Sequence, residues 1–278
     1  MRFISGSLIC FIPIQRYLGK VWRIVLIFSP QVFFLIDPLL GFGIVNIEAI
    51  RSEATQKGFS GHFELSVNGR SGNTDKITTH TATRFQWHQN KHTGFAVLRY
   101  AYGESAGNRD TNKTFLHARY IHKMSPGRSE EAFIQGESDE FARLSFRGLA
   151  GAGLRFQLSN HPRKQTAYLG TGAFYVVESL EARPGTTDAR TEQFWRFNTY
   201  LSYQRRLNEN VHFISTTYYQ PAIENFSDYR ILEEAGFTIS MTDQLKLNLS
   251  LDIIHDSKPP QSVEKTDVTY RTGIEYAF

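Results

Sequence analysis

From residue 58 to the end, the chain alternates apolar and polar side chains with period two. Alternation of this kind reads as half-buried β-strand rather than helix. In the last run Val268, Tyr270, Thr272, Ile274, Tyr276 and Phe278 share one face, and Thr269, Arg271, Gly273, Glu275 and Ala277 the other. Leu245, Leu247, Leu249, Leu251 and Ile253 alternate with Lys246, Asn248, Ser250, Asp252 and Ile254. The same pattern recurs around Phe59–Val67, Phe146–Leu158 and Trp195–Tyr203. It is poorest at 95–102 and 130–141.

Turn signals separate the runs. Short ones are Pro126-Gly127-Arg128, His161-Pro162-Arg163-Lys164, Asn208-Glu209-Asn210 and Thr242-Asp243-Gln244. Longer ones fall at 71–75, 103–112, 183–191 and 258–265. Short and long turns mostly alternate, the pattern of a meander with short turns on one rim and long loops on the other. The runs are about ten residues or more, enough to cross a bilayer at a tilt, and number about twelve, the even count that bacterial barrels favour. The expected fold is all-β: a single closed antiparallel transmembrane β-barrel over residues 55–278, with up-and-down connections.

The polar faces carry Arg, carboxylates and Gly, where a soluble sandwich would show Lys, Glu, Ser and Thr. Arg84, Arg119, Arg147, Arg155, Arg196, Arg230 and Arg271 oppose the apolar face, as do Glu64, Glu178, Glu234, Glu275 and Asp252. Arg99 joins them less regularly because Val97 shares its side. Guanidinium forks and carboxylates at similar heights would pair across a narrow lumen. Gly151, Gly153, Gly170, Gly172, Gly236 and Gly273 would make room for them. A lipid-facing charge at mid-depth costs about 2–4 kcal/mol, so Glu233, on the apolar side, is expected near a loop rim. Tyr203, Tyr219, Tyr229, Tyr270, Tyr276, Trp87 and Trp195 would form interfacial girdles.

The first fifty residues have another character. Trp22 to Asn46 is strongly apolar and follows Arg16, Lys20 and Arg23. Asp37, Pro30 and Pro38 interrupt it, which disfavours a membrane-spanning helix. A basic region, an apolar stretch and the small residues of Ser52-Glu53-Ala54 fit an export signal over 1–54. Its length suggests a native start near Leu18 or Val21. Cys10 follows Leu8-Ile9 and lacks the small residue that a lipidation site requires.

Composition adds limits. A single Cys in 278 residues excludes a disulfide scaffold and Cys-based metal clusters. A net charge of +4 gives no concentrated basic footprint for nucleic acid. Aromatics make up 14% of the chain, a content that suits a barrel with girdles.

Candidate chemistry is sparse. His88 and His92 have helical i, i+4 spacing, but in a strand they would stand about 13 Å apart, and no third metal ligand is near. His255-Asp256-Ser257 at a loop rim invites a lipid-modifying active site, yet neighbours on a strand point opposite ways. No nucleophile, base and orienting group assemble, so no catalytic residues are expected, and no metal or cofactor. Ser71-Gly72-Asn73-Thr74-Asp75 and Gly107-Asn108-Arg109-Asp110 lack a calcium loop's terminal Glu and read as turns. Glu137, Asp139 and Glu140, with Asp256 and Glu264, form acidic loop segments open to either divalent cations near lipopolysaccharide or plain solvation.

The ending Gly273-Ile274-Glu275-Tyr276-Ala277-Phe278 resembles the C-terminal signal of bacterial outer membrane proteins. The ordered set 71–75, Asp139-Glu140-Phe141, Gly151-Ala152-Gly153-Leu154, 256–260 and Thr266-Asp267 resembles the family of salt-induced outer membrane proteins, a domain family of unknown function. The opening strand departs from it, with Phe59 in place of a Trp. The resemblance implies a bacterial outer membrane barrel that contacts lipids and lipopolysaccharide. It implies recognition by the barrel assembly machinery through Tyr276 and Phe278. It supplies no substrate. The function expected is a narrow channel or structural envelope protein linked to salt or osmotic response. The alternatives are an outer membrane lipid- or lipopolysaccharide-modifying enzyme and a soluble lipid-binding barrel with its apolar face inward.

Overall fold

The structure, a computed structural model, describes residues 57–161 and 165–276. The 1–54 segment and Phe278 lie outside the described residues. Twelve strands follow one another: β1 (Gly58–Arg70), β2 (Lys76–Gln89), β3 (His92–Ser105), β4 (Asn108–Ser125), β5 (Arg128–Asp139), β6 (Leu144–His161), β7 (Gln165–Leu180), β8 (Thr191–Arg206), β9 (Val211–Pro221), β10 (Tyr229–Ser240), β11 (Leu245–Asp256) and β12 (Thr266–Tyr276). Each pairs antiparallel with the next in a single sheet. Strands form at 95–102 and over 130–139 as well, where alternation is weak.

One rim carries 71–75, 106–107, 140–143, 181–190, 222–228 and 257–265; the other carries 90–91, 126–127, 207–210 and 241–244. The long turn expected at 103–112 shrinks to Ala106-Gly107, both at positive φ (50° and 76°), the twist that suits a two-residue hairpin. The connection 222–228, which the turn signals do not include, joins β9 to β10.

The ladder order ends at β1 and β12, with no pairing between them among the described residues. The sheet is therefore open along that seam rather than closed. β1 is exposed on both faces apart from half-buried Ser66, as an edge strand with one side unpaired would be.

The sheet nevertheless curls strongly. Arg230 Nη2 on β10 donates to Glu178 Oε2 on β7 at 3.0 Å. Three strand spacings separate those strands, about 14 Å in a flat sheet. The concave face is enclosed and the convex face is open. Phe63, Leu65, Phe85, Leu98, Ile134, Phe146, Leu154, Trp195, Leu201, Leu251 and Ile274 are all exposed outside. Arg119, Arg147, Arg155, Glu178, Arg196, Arg230 and Asp252 are buried inside. Burial is thus inverted relative to a protein folded around an apolar core.

The interior is not purely polar. Phe95, Val97 and Ile121 form one buried cluster; Phe133, Leu149, Phe174 and Val176 a second; Tyr200, Tyr218, Leu232 and Ile254 a third. Residues apolar on both faces explain the weak alternation of β3 and β5. At Gly151 and Gly170 these rings, not the arginines, use the space the glycines leave. A Cβ at Gly170 would lie 1.9 Å from the Tyr200 ring, and one at Gly172 would lie 2.2 Å from the Ala152 carbonyl oxygen.

Outward aromatics gather toward both strand ends. Trp195 packs on Tyr175 and Tyr219 on Tyr229 near the long-loop rim. Tyr203 packs on Phe213, and Phe213 on Phe237, near the other. Tyr270 belongs to neither belt: it pairs with Leu251 in mid-strand. Glu233 corrects its expected rim position. It faces outward from the body of β10, where its carboxylate accepts hydrogen bonds from Ser215 Oγ (2.7 Å) and Thr217 Oγ1. Two neighbouring hydroxyls replace the solvent this carboxylate would otherwise need.

Candidate functional site: an ion-paired interior

Residues paired across an antiparallel ladder share a face, so the register builds the interior row by row. One row runs Glu64, Ala82, Arg99, Phe115, Glu137, Arg147 and Glu178. Arg84 stands on the next row with Val97 and His117. Arg119 lies with Phe95 and Phe133, and Arg155 with Gly170 and Tyr200. Glu234 and Asp252 pair directly, and Arg271 and Glu275 follow toward the short-turn rim. Every charged residue assigned to the polar face therefore stands on the enclosed one, although Glu64, on the open edge strand, is exposed.

The register leaves open which charges meet. Near the long-loop rim they form a chain across the concavity. Arg147 reaches Glu137 (2.7 Å) and Glu178 (2.6 Å); Arg230 reaches Glu178 (3.0 Å) and Asp256 (2.8 Å). Signs alternate along all five members, so each charge has an opposite neighbour. Arg196 closes one flank on Asp228 (2.5 Å) and the Gln220 carbonyl (2.9 Å). Below, Gln220 bonds Asn198 and Thr216 bonds Ser202. Elsewhere Arg271 binds Asp252 (2.6 Å), Lys246 binds Glu275 (3.2 Å) and Arg119 binds Glu131 (2.5 Å). Arg119 lies 4.4 Å over the Phe133 ring, and Arg155 stacks over Tyr168. His117 is 1% exposed between Phe95, Phe115 and Phe133. Its ring nitrogens meet Gln135 Oε1 and the Arg119 Nε donor, an arrangement for neutral imidazole donating through Nδ1.

A clasp ties three long-rim loops above this chain. Arg143, at φ 59°, is 1% exposed and donates to the Gln261 and Glu181 carbonyls, Thr186 Oγ1 and Asp188 Oδ1. Asp188 Oδ2 in turn accepts from the Gln261 backbone (2.7 Å). Sequence reasoning missed Arg143, Asp188 and Gln261, because contacts between loops distant in sequence leave no periodic trace. The Arg143 guanidinium, then the Gln261 amide, hold the Asp188 carboxyl down to about 2 from its ordinary 3.8. A depressed carboxyl pKa adds stability that is complete above pH 3.8 and disappears as pH falls through about 2. Limited proteolysis of 181–190 and 257–265 should therefore stay slow at pH 5 and accelerate below pH 3. Arg143→Ala should give fast cleavage at both. Equal rates in wild type and variant would remove the clasp from the account.

Other candidate residues are engaged or kept apart. Asp139 binds Lys113 (2.7 Å) and Glu140 binds Arg109 (2.6 Å), so these two, like Glu137 and Asp256, are already matched by cations. His88 faces inward onto Thr93, whereas His92 faces outward and stacks on His122. No cluster of three metal-ligating side chains forms among the described residues. His255 lies outside against Tyr229 and Thr266, while Asp256 is buried beneath Arg230, so the two cannot act on one substrate atom. Ser71 and the Gly72 amide close the 71–75 turn onto Asp75.

An all-antiparallel meander curled around charge, with its apolar face outward, defines the class: an inside-out twelve-stranded β-sheet protein. The chain belongs to the DUF481 family of proteins of unknown function, whose model matches residues 63–278. A search of the curated proteins returns no match. Among solved structures it is similar to the NanC porin (11% identity, TM-score 0.43), covering 77% of this chain and 100% of that one. It is also similar to the translocator domain of the autotransporter NalP from Neisseria meningitidis (10% identity, TM-score 0.42), covering 84% and 93%. A third is the β domain of the Bordetella autotransporter BrkA (12% identity, TM-score 0.36), covering 79% and 98%.

Proposed function

We propose that the protein is a bacterial outer membrane β-barrel forming a narrow channel, constricted by the Glu137–Arg147–Glu178–Arg230–Asp256 chain. The observation that carries this reading is the inverted burial: apolar rows with aromatic ends outside, paired charges inside. Water alone would not favour so much exposed Leu, Phe and Val, whereas hydrocarbon would. A soluble lipid-binding barrel needs the reverse sidedness. In the membrane β1 and β12 would join, since an open edge in hydrocarbon leaves backbone groups unsatisfied at several kcal/mol each. Both edge strands carry complementary alternation for that seam. Export through 1–54 and recognition of Tyr276 and Phe278 by the assembly machinery belong to the same proposal. So does a salt or osmotic role, by resemblance alone.

Purified full-length protein should require detergent and shift its gel mobility on heating. In planar bilayers it should show small steps that grow when Arg147 is replaced by Ala. Solubility without detergent would overturn the membrane reading. Steps of equal size in wild type and Arg147→Ala would overturn the constriction.

A further inference from the structure

At the short-turn rim, away from the constriction, β7 to β10 border an open hollow of about 170 Å³ in which Arg206 and His212 are exposed. Two inner-face rows line it, together with Gln165, Arg205 and Phe213 from the outer side of the same strands. One is Thr166, Gln204 and Ile214; the other is Arg206, His212 and Thr238, joined in direct register. These side chains differ from the rest of the charged interior. Neither Arg206 nor His212 has an ion-pair partner among the described residues, although the arginines of the constriction are all paired. No Asp or Glu lines the cavity. The nearest interior carboxylates are committed or set apart: Asp252 to Arg271, Glu275 to Lys246, and Glu234 one row up. Thr238 donates its hydroxyl to Asn248 Oδ1, which leaves its oxygen free to accept. A cation fork, an imidazole, an amide and hydroxyls around a space of this size, without a carboxylate, match a small oxyanion that also carries hydroxyl groups.

We infer that this cavity is an oxyanion-binding vestibule, with Arg206 as its charged anchor and His212, Gln204 and Thr238 as its polar contacts. The ligand class is a small phosphate- or carboxylate-bearing solute. The inference rests on the barrel reading, because only an enclosed inner face makes the site a mouth of the lumen. Arg206 belongs to the inner-face row, and its neighbour Arg205 borders the same hollow from the rim. Displacement by lipid separates a free solute from a lipid headgroup phosphate.

The test is titration of the detergent-folded full chain with inorganic phosphate, by calorimetry or phosphorus NMR. Folding of the same samples is read from heat-modifiable gel mobility. Wild type should bind saturably, and Arg206→Gln should weaken binding about tenfold or more, the effect of losing one charge-assisted hydrogen-bond donor. Arg128→Gln, an exposed arginine of the same rim that does not border the hollow, should leave phosphate binding unchanged. Three results would overturn the inference. The first is folded wild type with no saturable binding, which leaves the barrel reading intact. The second is equal loss in Arg128→Gln and Arg206→Gln. The third is phosphate binding displaced by phosphatidylglycerol but not by phosphatidylcholine, which would place the anion site on the lipid-facing surface. Protein that is soluble without detergent and lacks heat-modifiable mobility would instead mark failure of the barrel reading.

Discussion

Glu178→Ala is expected to lower the temperature at which the folded, fast-migrating form is lost, and to enlarge single-channel steps more than any other single interior change. Glu178 joins two arginines. Its removal leaves Arg147, 3% exposed, with only Glu137, and Arg230, 7% exposed, with only Asp256. Breaking a buried pair by deleting one partner costs about 3–5 kcal/mol, because the remaining charge stays desolvated. Here the link across the concavity from β7 to β10 disappears as well. Glu178→Gln keeps the volume and some hydrogen bonds, so it should fall between wild type and Glu178→Ala. Replacing Glu137, Arg147 and Glu178 together by Leu, Met and Leu should restore much of the stability while leaving the path altered, since Arg230 keeps Asp256. If Glu178→Ala melts with wild type, the interior network is dispensable for the fold.

Gly172→Ala should be nearly as damaging without any change in charge. The Cβ would meet the Ala152 carbonyl oxygen at 2.2 Å and Gly153 Cα at 2.6 Å, both backbone atoms of the neighbouring strand. Backbone cannot rotate away as a side chain can, so β6 and β7 must separate or lose local ladder bonds. Overpacking of this sort costs about 1–3 kcal/mol and sometimes more. Gly273→Ala is the matched control, since a Cβ there meets nothing within 4 Å. The comparison is read from yield of the heat-modifiable form after refolding from urea. Equal yields from the two variants would mean that β6 and β7 are not held as closely as described.

Much of this architecture is legible in single residues. The row Leu245, Leu247, Leu249, Leu251 faces out and Asp252 is buried because a strand's side chains must alternate, and alternation needs no tertiary information. Arg196, Arg230 and Arg271 could be placed on the enclosed face for the same reason. Alternation fails where both faces are apolar, so it does not place Phe95, Phe133 and Phe174 in the interior. It also cannot foresee that Glu233 would be held in mid-strand by Ser215 and Thr217, since that stabilisation comes from the next strand. The 103–112 turn was too long for a physical reason of its own: Ala106 adopts positive φ, which its side chain does not advertise.

Period two, turn residues and the signs of charges by themselves determined the strand count, the meander and which side of each strand carries charge. These are local properties, set by backbone geometry and by the pitch of the pattern. Only the tertiary structure decided which charge meets which. Arg230 selects Glu178, and Arg143 gathers Thr186, Asp188 and Gln261, because the sheet's curvature brings distant strands and loops within hydrogen-bond range. Curvature is the summed twist of eleven pairings and of the rings packed inside them, a collective quantity that no single segment encodes.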